Sequence, residues 1–414
     1  MKKILFASTA LATLAIGGAA SADIELFGNA RLGLGYNINN DGTVNRPGED
    51  DTSSKDNSTR TIQREVTEDV RTVDPETGEV TITQVTRLVD EEVVTQVGST
   101  EDFRAVSRIR FGVTMTGETD SGIAFGATIR ADNAAGGGTG ASAVSGQTEG
   151  EVFVSGAWGS LTFGDTNAAD EQHVGDAGGN LSVTGLGDLN ETPFISNGGG
   201  FGDDRINFAS DPSARPTVRY DYNFAGLGVS VSTDRKLESV GVGGSYTYEF
   251  ADGSVTGGVG YYDFAEFDTD IQGTDDPVTV KGGEQWSVGL TGNYSGFSAG
   301  VVYTAASSDS QNDLASGDLD VLNVGLGYEM NAWSFAAWYG KVLTGNGNLE
   351  AYNDEDTYGL TVAYDLGGGA SVNFGIAQSY GRSEIGDRSD ALIGGYVPAY
   401  ESATIGDFGI KMEF

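Results

Sequence analysis

The chain has 414 residues, no cysteine and one histidine, and its 60 acidic side chains stand against 23 basic ones for a formal net charge of −37. These totals exclude disulfide scaffolds, thiol catalysis and cysteine-based metal centres, and a single imidazole cannot furnish a His-rich zinc site. So acidic a field repels nucleic acid, yet 19 Phe and 17 Tyr in regular alternation are not the composition of a disordered chain.

Lys2 and Lys3 precede a small apolar run over 4–16 and the small-x-small sequence Ala20-Ser21-Ala22. That order reads as a secretory signal over 1–22, cleaved between Ala22 and Asp23; the run is too short to span a bilayer as a helix. No later stretch approaches 18 consecutive apolar residues, so no transmembrane helix is expected. Residues 23–414 then form one domain. An exported chain of this kind can still live in a membrane, because a closed barrel satisfies every backbone group without helices.

From Ile24 onward apolar residues recur at every second position. Ile24, Leu26, Gly28, Ala30, Leu32, Leu34 and Tyr36 share one face, and Glu25, Phe27, Asn29, Arg31, Gly33, Gly35 and Asn37 the other. Period two predicts a strand. Sixteen such segments follow one another: 24–37, 103–116, 122–131, 150–157, 159–165, 217–223, 227–233, 239–250, 254–264, 284–294, 297–304, 318–330, 333–342, 356–365, 370–380 and 403–414. Short connections (117–121, 225–226, 295–296, 331–332) alternate with long polar ones. This is the pattern of an all-β, antiparallel, sixteen-stranded transmembrane barrel, apolar outside and polar within. Aromatics collect at two levels. Trp158, Phe224, Phe250, Tyr294, Phe297, Trp333 and Phe414 fall on the short-turn side; Tyr36, Tyr303, Tyr339 and Tyr358 fall on the loop side. Amphipathic rings at two heights suit two membrane interfaces.

Several segments carry a resemblance. FGNARLGLGYN at 27–37, SRIRFGVTMTGETDSGIAFGATIRA at 107–131 and GEVFVSGAWGSLTFGDTNAADE at 150–171 resemble the bacterial general porins. So do YGLTVAYDLGGGASVNFGIA at 358–377 and FGIKMEF at 408–414. The likeness is to the trimeric sixteen-stranded porins of purple photosynthetic alphaproteobacteria. It implies an outer-membrane, water-filled channel of a Gram-negative bacterium, not an enzyme, passing small hydrophilic solutes and ions with no required cofactor. It also implies a homotrimer in contact with the lipid bilayer and lipopolysaccharide. The terminal Phe414, after alternating Phe408, Ile410 and Met412, resembles the signal read by the outer-membrane assembly machinery.

The connection over 166–215 is long, and structureless loops of that length are commonly functional. In the resembled family this third loop folds into the barrel and sets carboxylates against a basic wall. Here the loop offers Asp170, Glu171, Asp176, Asp188 and Glu191, with Asp203 and Asp204 beyond them. The wall offers Arg31, Arg108, Arg110 and Arg130, all on the inward phase of the first three strands. An arginine on the lipid face would cost about 2–4 kcal/mol at mid-membrane, whereas facing water it costs little. Opposed charges across a narrow passage would set up a transverse field. The surplus of carboxylates predicts cation preference. His173 reads as an ordinary loop residue.

The first loop, 38–102, exceeds the family pattern. Val- and Thr-rich stretches at 60–73 and 79–94 flank the turn sequence Asp74-Pro75-Glu76-Thr77-Gly78. A β-hairpin standing above the barrel mouth fits, as does an extension of the first two strands. An alternative function follows: a substrate-specific channel with this loop as a partial lid or recognition site. Acidic clusters at 268–276 and 354–356 offer hard oxygen ligands for calcium without a full calcium-loop pattern.

Overall fold

A computed structural model describes residues 23–37, 44–45, 58–73, 80–95, 103–132, 148–179, 181–183, 185–197, 217–269, 278–310, 317–346, 356–379, 399–400 and 403–414. The signal segment 1–22, with Ala22, lies outside the described residues, as do Asp203, Asp204 and most of the two acidic clusters. No described helix is long and apolar enough to cross a membrane.

Sixteen antiparallel strands close one sheet into a barrel, and a three-residue strand, Phe267–Thr269, adds to that sheet by pairing with 278–280. The first half of the sixteen is β1 Asp23–Asn37, β2 Phe103–Glu118, β3 Ala124–Asp132, β4 Thr148–Gly156, β5 Gly159–Gly164, β6 Thr217–Phe224, β7 Leu227–Thr233 and β8 Val240–Phe250. The second half is β9 Gly253–Phe264, β10 Val278–Tyr294, β11 Phe297–Ser310, β12 Gly317–Met330, β13 Trp333–Gly345, β14 Asp356–Gly367, β15 Ala370–Ser379 and β16 Ala403–Glu413. Each strand pairs with its chain neighbours, and β1 closes the ring by pairing with both β2 and β16. Closure leaves no unpaired edge, which is what a sheet in hydrocarbon requires.

The sheet is apolar on its outer face. Ile24 and Leu26 are 66% and 74% exposed, while inward-facing Gln285, Ser287 and Asn323 are 0%, 1% and 1% exposed. Soluble domains bury the opposite set, and their exposed apolar patches rarely exceed a few hundred Å². The outer face is therefore solvated by lipid. Rings meet along the short-turn rim: Phe250 stacks on Tyr294 with centroids 6.2 Å apart, Phe297 stacks on Tyr328 at 4.2 Å, and Trp333 meets Tyr364 edge-on at 4.8 Å.

The connections follow from turn chemistry. Ala225 and Gly226, with φ of 49° and 83°, join β6 to β7, and Ser295 and Gly296, with φ of 47° and 87°, join β10 to β11. Positive φ at both central positions is the two-residue turn whose twist matches the sheet. On the loop side two strands outrun their apolar pattern. β10 begins at Val278 rather than 284, and β11 reaches Ser310 rather than 304. Ladder hydrogen bonds continue where the strand leaves the bilayer, but the need for alternate apolar side chains stops there.

Within the first loop, Ser58–Val73 pairs antiparallel with Val80–Thr95 as a two-stranded ribbon. Val44–Asn45 pairs with Ala399–Tyr400, so the first loop is tied to the last.

Candidate functional site

The described residues that follow β5, 165–179, 181–183 and 185–197, lie inside the barrel. They include a short helix, α1, over Ala169–Val174. Asp170 and Glu171 occupy its first turn, where acidic groups suit the helix dipole. The first amide, Ala169 N–H, is capped from the wall by Ser232 Oγ at 2.9 Å. Gly175, with φ of 61°, ends the helix and donates to the Glu171 carbonyl at 2.8 Å.

Beyond α1 the loop has little regular structure, so its backbone groups need partners from elsewhere. The inner wall supplies them as side-chain amides and hydroxyls. Thr361 on β14 donates to the Gly179 carbonyl at 3.3 Å, and Asn373 on β15 donates to Leu181 at 2.6 Å. Asn323 on β12 donates to Glu191 at 3.0 Å. Gln285 on β10 works both ways, donating to the Pro193 carbonyl and accepting the Ile195 N–H, each at 2.7 Å. Small residues make the room. A Cβ on Gly260 would stand 2.7 Å from Asp170 Cα, and the Ala177 carbonyl lies over Gly300 and Gly325. An apolar plug of Val174, Ala177, Phe194 and Val302 closes the contact.

The loop acids are thus divided. Asp170 is completely buried against the wall; its Oδ2 accepts the Ser196 hydroxyl at 3.0 Å, and burial pushes its carboxyl up to about 6. It faces the seam and not the open lumen. Asp176 is exposed and accepts the Thr192 amide at 2.8 Å, clasping the two arms of the loop. Glu171 and Glu191 are half-buried. Asp188 lies in the 3-10 turn Leu186–Asn190, and its side chain falls outside the described residues.

Arg31, Arg108, Arg110 and Arg130 are half-buried on the inward phase of β1, β2, β2 and β3. Register places Arg31 directly opposite Arg108 on one side and Lys411 of β16 on the other. Arg110 is opposite Asp132, and Arg130 opposite Glu149. In a closed ring of sixteen, strand n faces strand n + 8, so β1 and β2 look across at β9 and β10. Helix α1 packs on β7 to β10. The topology thus sets the cationic wall across the lumen from the helix that carries Asp170 and Glu171.

Sequence reasoning omitted Lys411, although Phe408, Ile410 and Met412 already placed it on the inward phase. It also missed the wall amides that hold the loop, and it treated His173 as an ordinary loop residue. In the structure both imidazole nitrogens are hydrogen-bonded to wall serines. Among the described residues no three His, Asp or Glu side chains are grouped to hold a metal. Of the acids considered for calcium, Asp356 alone has a described side chain.

Comparison with known proteins adds the following. A model of the Gram-negative porin family matches residues 7–383. A porin of Rhodobacter capsulatus is 28% identical over 302 residues, covering 67% of this chain and 89% of its own. A refined porin structure superposes with a TM-score of 0.54 at 22% identity, over 95% of this chain and all of that one.

Proposed function

The chain belongs to the Gram-negative porin family, a family of outer-membrane channels and not of enzymes, and we propose that its barrel is a cation-preferring passage for small hydrophilic solutes, narrowed by the loop that carries α1. The observation that carries this reading is the seating of that loop on the inner wall by Gln285, Asn323, Thr361 and Asn373. A loop so held occupies lumen that would otherwise be water.

Arg31, Arg108, Arg110, Arg130 and Lys411 form the positive side of the passage, with Glu171, Asp176 and Glu191 on the negative side and Asp188 assigned to it from its place in the loop sequence. Such a field orients dipolar solutes and disfavours large apolar ones. Asp170, being buried, contributes to the seat instead. The excess of carboxylates over cations favours entry of cations. Passage of this kind needs no cofactor, and calcium at the outer acids is not required by it.

Three further elements belong to the same reading. The 1–22 segment directs export and is removed at Ala22–Asp23. The β16 strand and the Phe414 that follows it are read by the outer-membrane assembly machinery. The mature barrel works as a homotrimer among lipid and lipopolysaccharide. Reversal potentials of the purified protein in planar bilayers under a KCl gradient test the central claim. A cation-preferring value is expected, and an anion-preferring one would overturn it.

The first loop favours a second reading. The ribbon Ser58–Val73/Val80–Thr95 and the tie between Val44–Asn45 and Ala399–Tyr400 suit a partial lid that selects substrates. Deleting 46–98 would then raise conductance and flatten discrimination among sugars of increasing size. Unchanged rates across the series would remove the lid reading.

A further inference from the structure

The root of the loop is held by a chain of hydrogen bonds across four elements. Buried Arg219 on β6 donates from Nε to both carboxylate oxygens of Asp221 at 2.9 and 3.0 Å. Its Nη1 reaches Thr166 Oγ1 at 3.0 Å and the Asn167 carbonyl. Asp221 Oδ1 accepts the Ser230 hydroxyl at 2.5 Å. Ser230 Oγ lies 2.7 Å from His173 Nε2, and Ser245 Oγ lies 2.8 Å from His173 Nδ1.

Proton counting assigns the direction of each bond. Ser230 has one hydroxyl proton and gives it to a carboxylate, the strongest acceptor present. Ser230 Oγ must therefore accept from His173, so Nε2 carries the imidazole proton. Nδ1 is then the acceptor, and Ser245 donates to it. Glycines around the ring let it approach: a Cβ on Gly228 would stand 3.0 Å from His173 Cε1, and the His173 carbonyl lies directly over Gly258.

We infer that His173 is a positioning residue of the channel: as the neutral Nε2–H imidazole bridging Ser230 of β7 and Ser245 of β8, it pins α1 to the wall and so sets the width of the passage. The inference rests on the reading of this loop as the constriction. The bridge explains why a lone histidine sits inside a barrel with no catalytic partner for it. Asp221 bonds Ser230 and not the ring, so the groups form a clamp and not a nucleophile relay.

The ionisable groups around the clamp are Asp170 and Glu171 of α1, Arg219 and Asp221 of β6 and the buried Tyr262 of β9; β7 and β8 present serines and glycines. Burial holds the His173 imidazole below its ordinary range, against the pull of Asp221 and with the push of Arg219. A depressed imidazole stabilises the seated loop above its ordinary range and loses that contribution as pH falls through the lowered value. Asp170 titrates in the opposite sense, so acid profiles are read in an Asp170→Asn background.

Single-channel recording of the intact barrel tests the clamp, each variant first shown to keep its β circular dichroism. His173→Ala should raise occupancy of a second, wider current level about tenfold, the effect expected of losing a buried hydrogen-bonded bridge. His173→Gln, whose amide reaches Ser230, should restore most of the single level. Ser245→Ala, which leaves the ring in place, should fall between them and serves if the alanine variant does not assemble. In the Asp170→Asn background acid should increase the second level, and adding His173→Gln should abolish that response. Unchanged levels in His173→Ala and Ser245→Ala, or a glutamine variant as noisy as the alanine one, would overturn the clamp. Asp176→Lys keeps the two claims apart. If it leaves conductance and reversal potential untouched, the constriction reading itself falls. If it shifts them while His173→Ala does not, only the clamp falls.

Discussion

The two sides of the lumen are built from different amino acids. On β1 to β3 and β16 the inward positions carry Arg31, Arg108, Arg110, Arg130 and Lys411, half-buried cations on neighbouring strands. On β7 to β15 the inward positions include Gly228, Gly243, Ser245, Gly258, Gly260, Gln285, Gly300, Asn323, Gly325, Thr361 and Asn373, with Tyr262, Val302 and Trp338 buried among them. Both series obey the same two-residue rhythm. One wall carries the cations; the other is rich in glycine and lined with amides and hydroxyls, so that a segment of backbone can lie on it. Hydrophobic alternation says which residues point inward. The size and hydrogen-bonding type of those residues say whether they meet water or protein.

That contrast can be broken most strongly at the buried carboxyl. Burial makes the Asp170 carboxyl a weaker acid, so its contribution to the seated loop is complete below about 3.8 and is lost as pH rises through about 6. The penalty above that range is on the order of 3 kcal/mol. Asp170→Asn should therefore raise the midpoint of thermal unfolding in detergent at pH 8 and leave it nearly unchanged at pH 4. A variant destabilised at both values would show that the ionised form is needed.

Added bulk at a glycine of the seating wall comes next. Gly258→Val places a branched side chain where the His173 carbonyl now sits, and overpacking of this kind costs about 1–3 kcal/mol. The same valine at Asn29, on the open wall, should cost less than half as much. Equal losses in thermal midpoint at the two sites would erase the distinction between walls.

Removing an amide tests the seat more gently. Gln285→Leu leaves the Pro193 carbonyl and the Ile195 N–H without their wall partner, a loss of about 1–3 kcal/mol. Hydrogen exchange of the Ile195 amide should accelerate about tenfold or more, and protection as in the parent would refute the anchoring role.

The smallest effect lies on the open wall. Lys411→Gln removes one cation from the row it shares with Arg31 and Arg108, and cation preference should rise modestly, by less than twofold at 0.15 M salt because water and ions screen the lumen. An increase in anion preference would place Lys411 outside the passage.

Much of this architecture was legible in one dimension. Ile24 to Tyr36 and Phe408 to Met412 showed the lipid face. The alternation of Ala225-Gly226 and Ser295-Gly296 with long polar stretches showed up-and-down order around a closed sheet. The phase of Arg31, Arg108, Arg110 and Arg130 placed them inward. Lys411 has the same inward phase, between the outward Ile410 and Met412. The seat of the loop was not available. Gln285, Asn323 and Asn373 look like any polar inward residues, and the carbonyls they bind lie some 90 to 190 positions away in the chain.

What sequence alone determined is therefore the rhythm, and with it the barrel, its two faces, its aromatic rims and the sign of its charge. Those are local properties: each side chain is assigned to lipid or lumen by its own parity. Tertiary structure decided which carboxylates face water and which are buried, and why Asp170 serves the seat while Asp176 stays exposed. It also decided that His173 is held from both sides. These outcomes depend on where an irregular loop meets the curved inner wall. That meeting is settled by shape and by the pairing of distant polar groups, which no local pattern encodes.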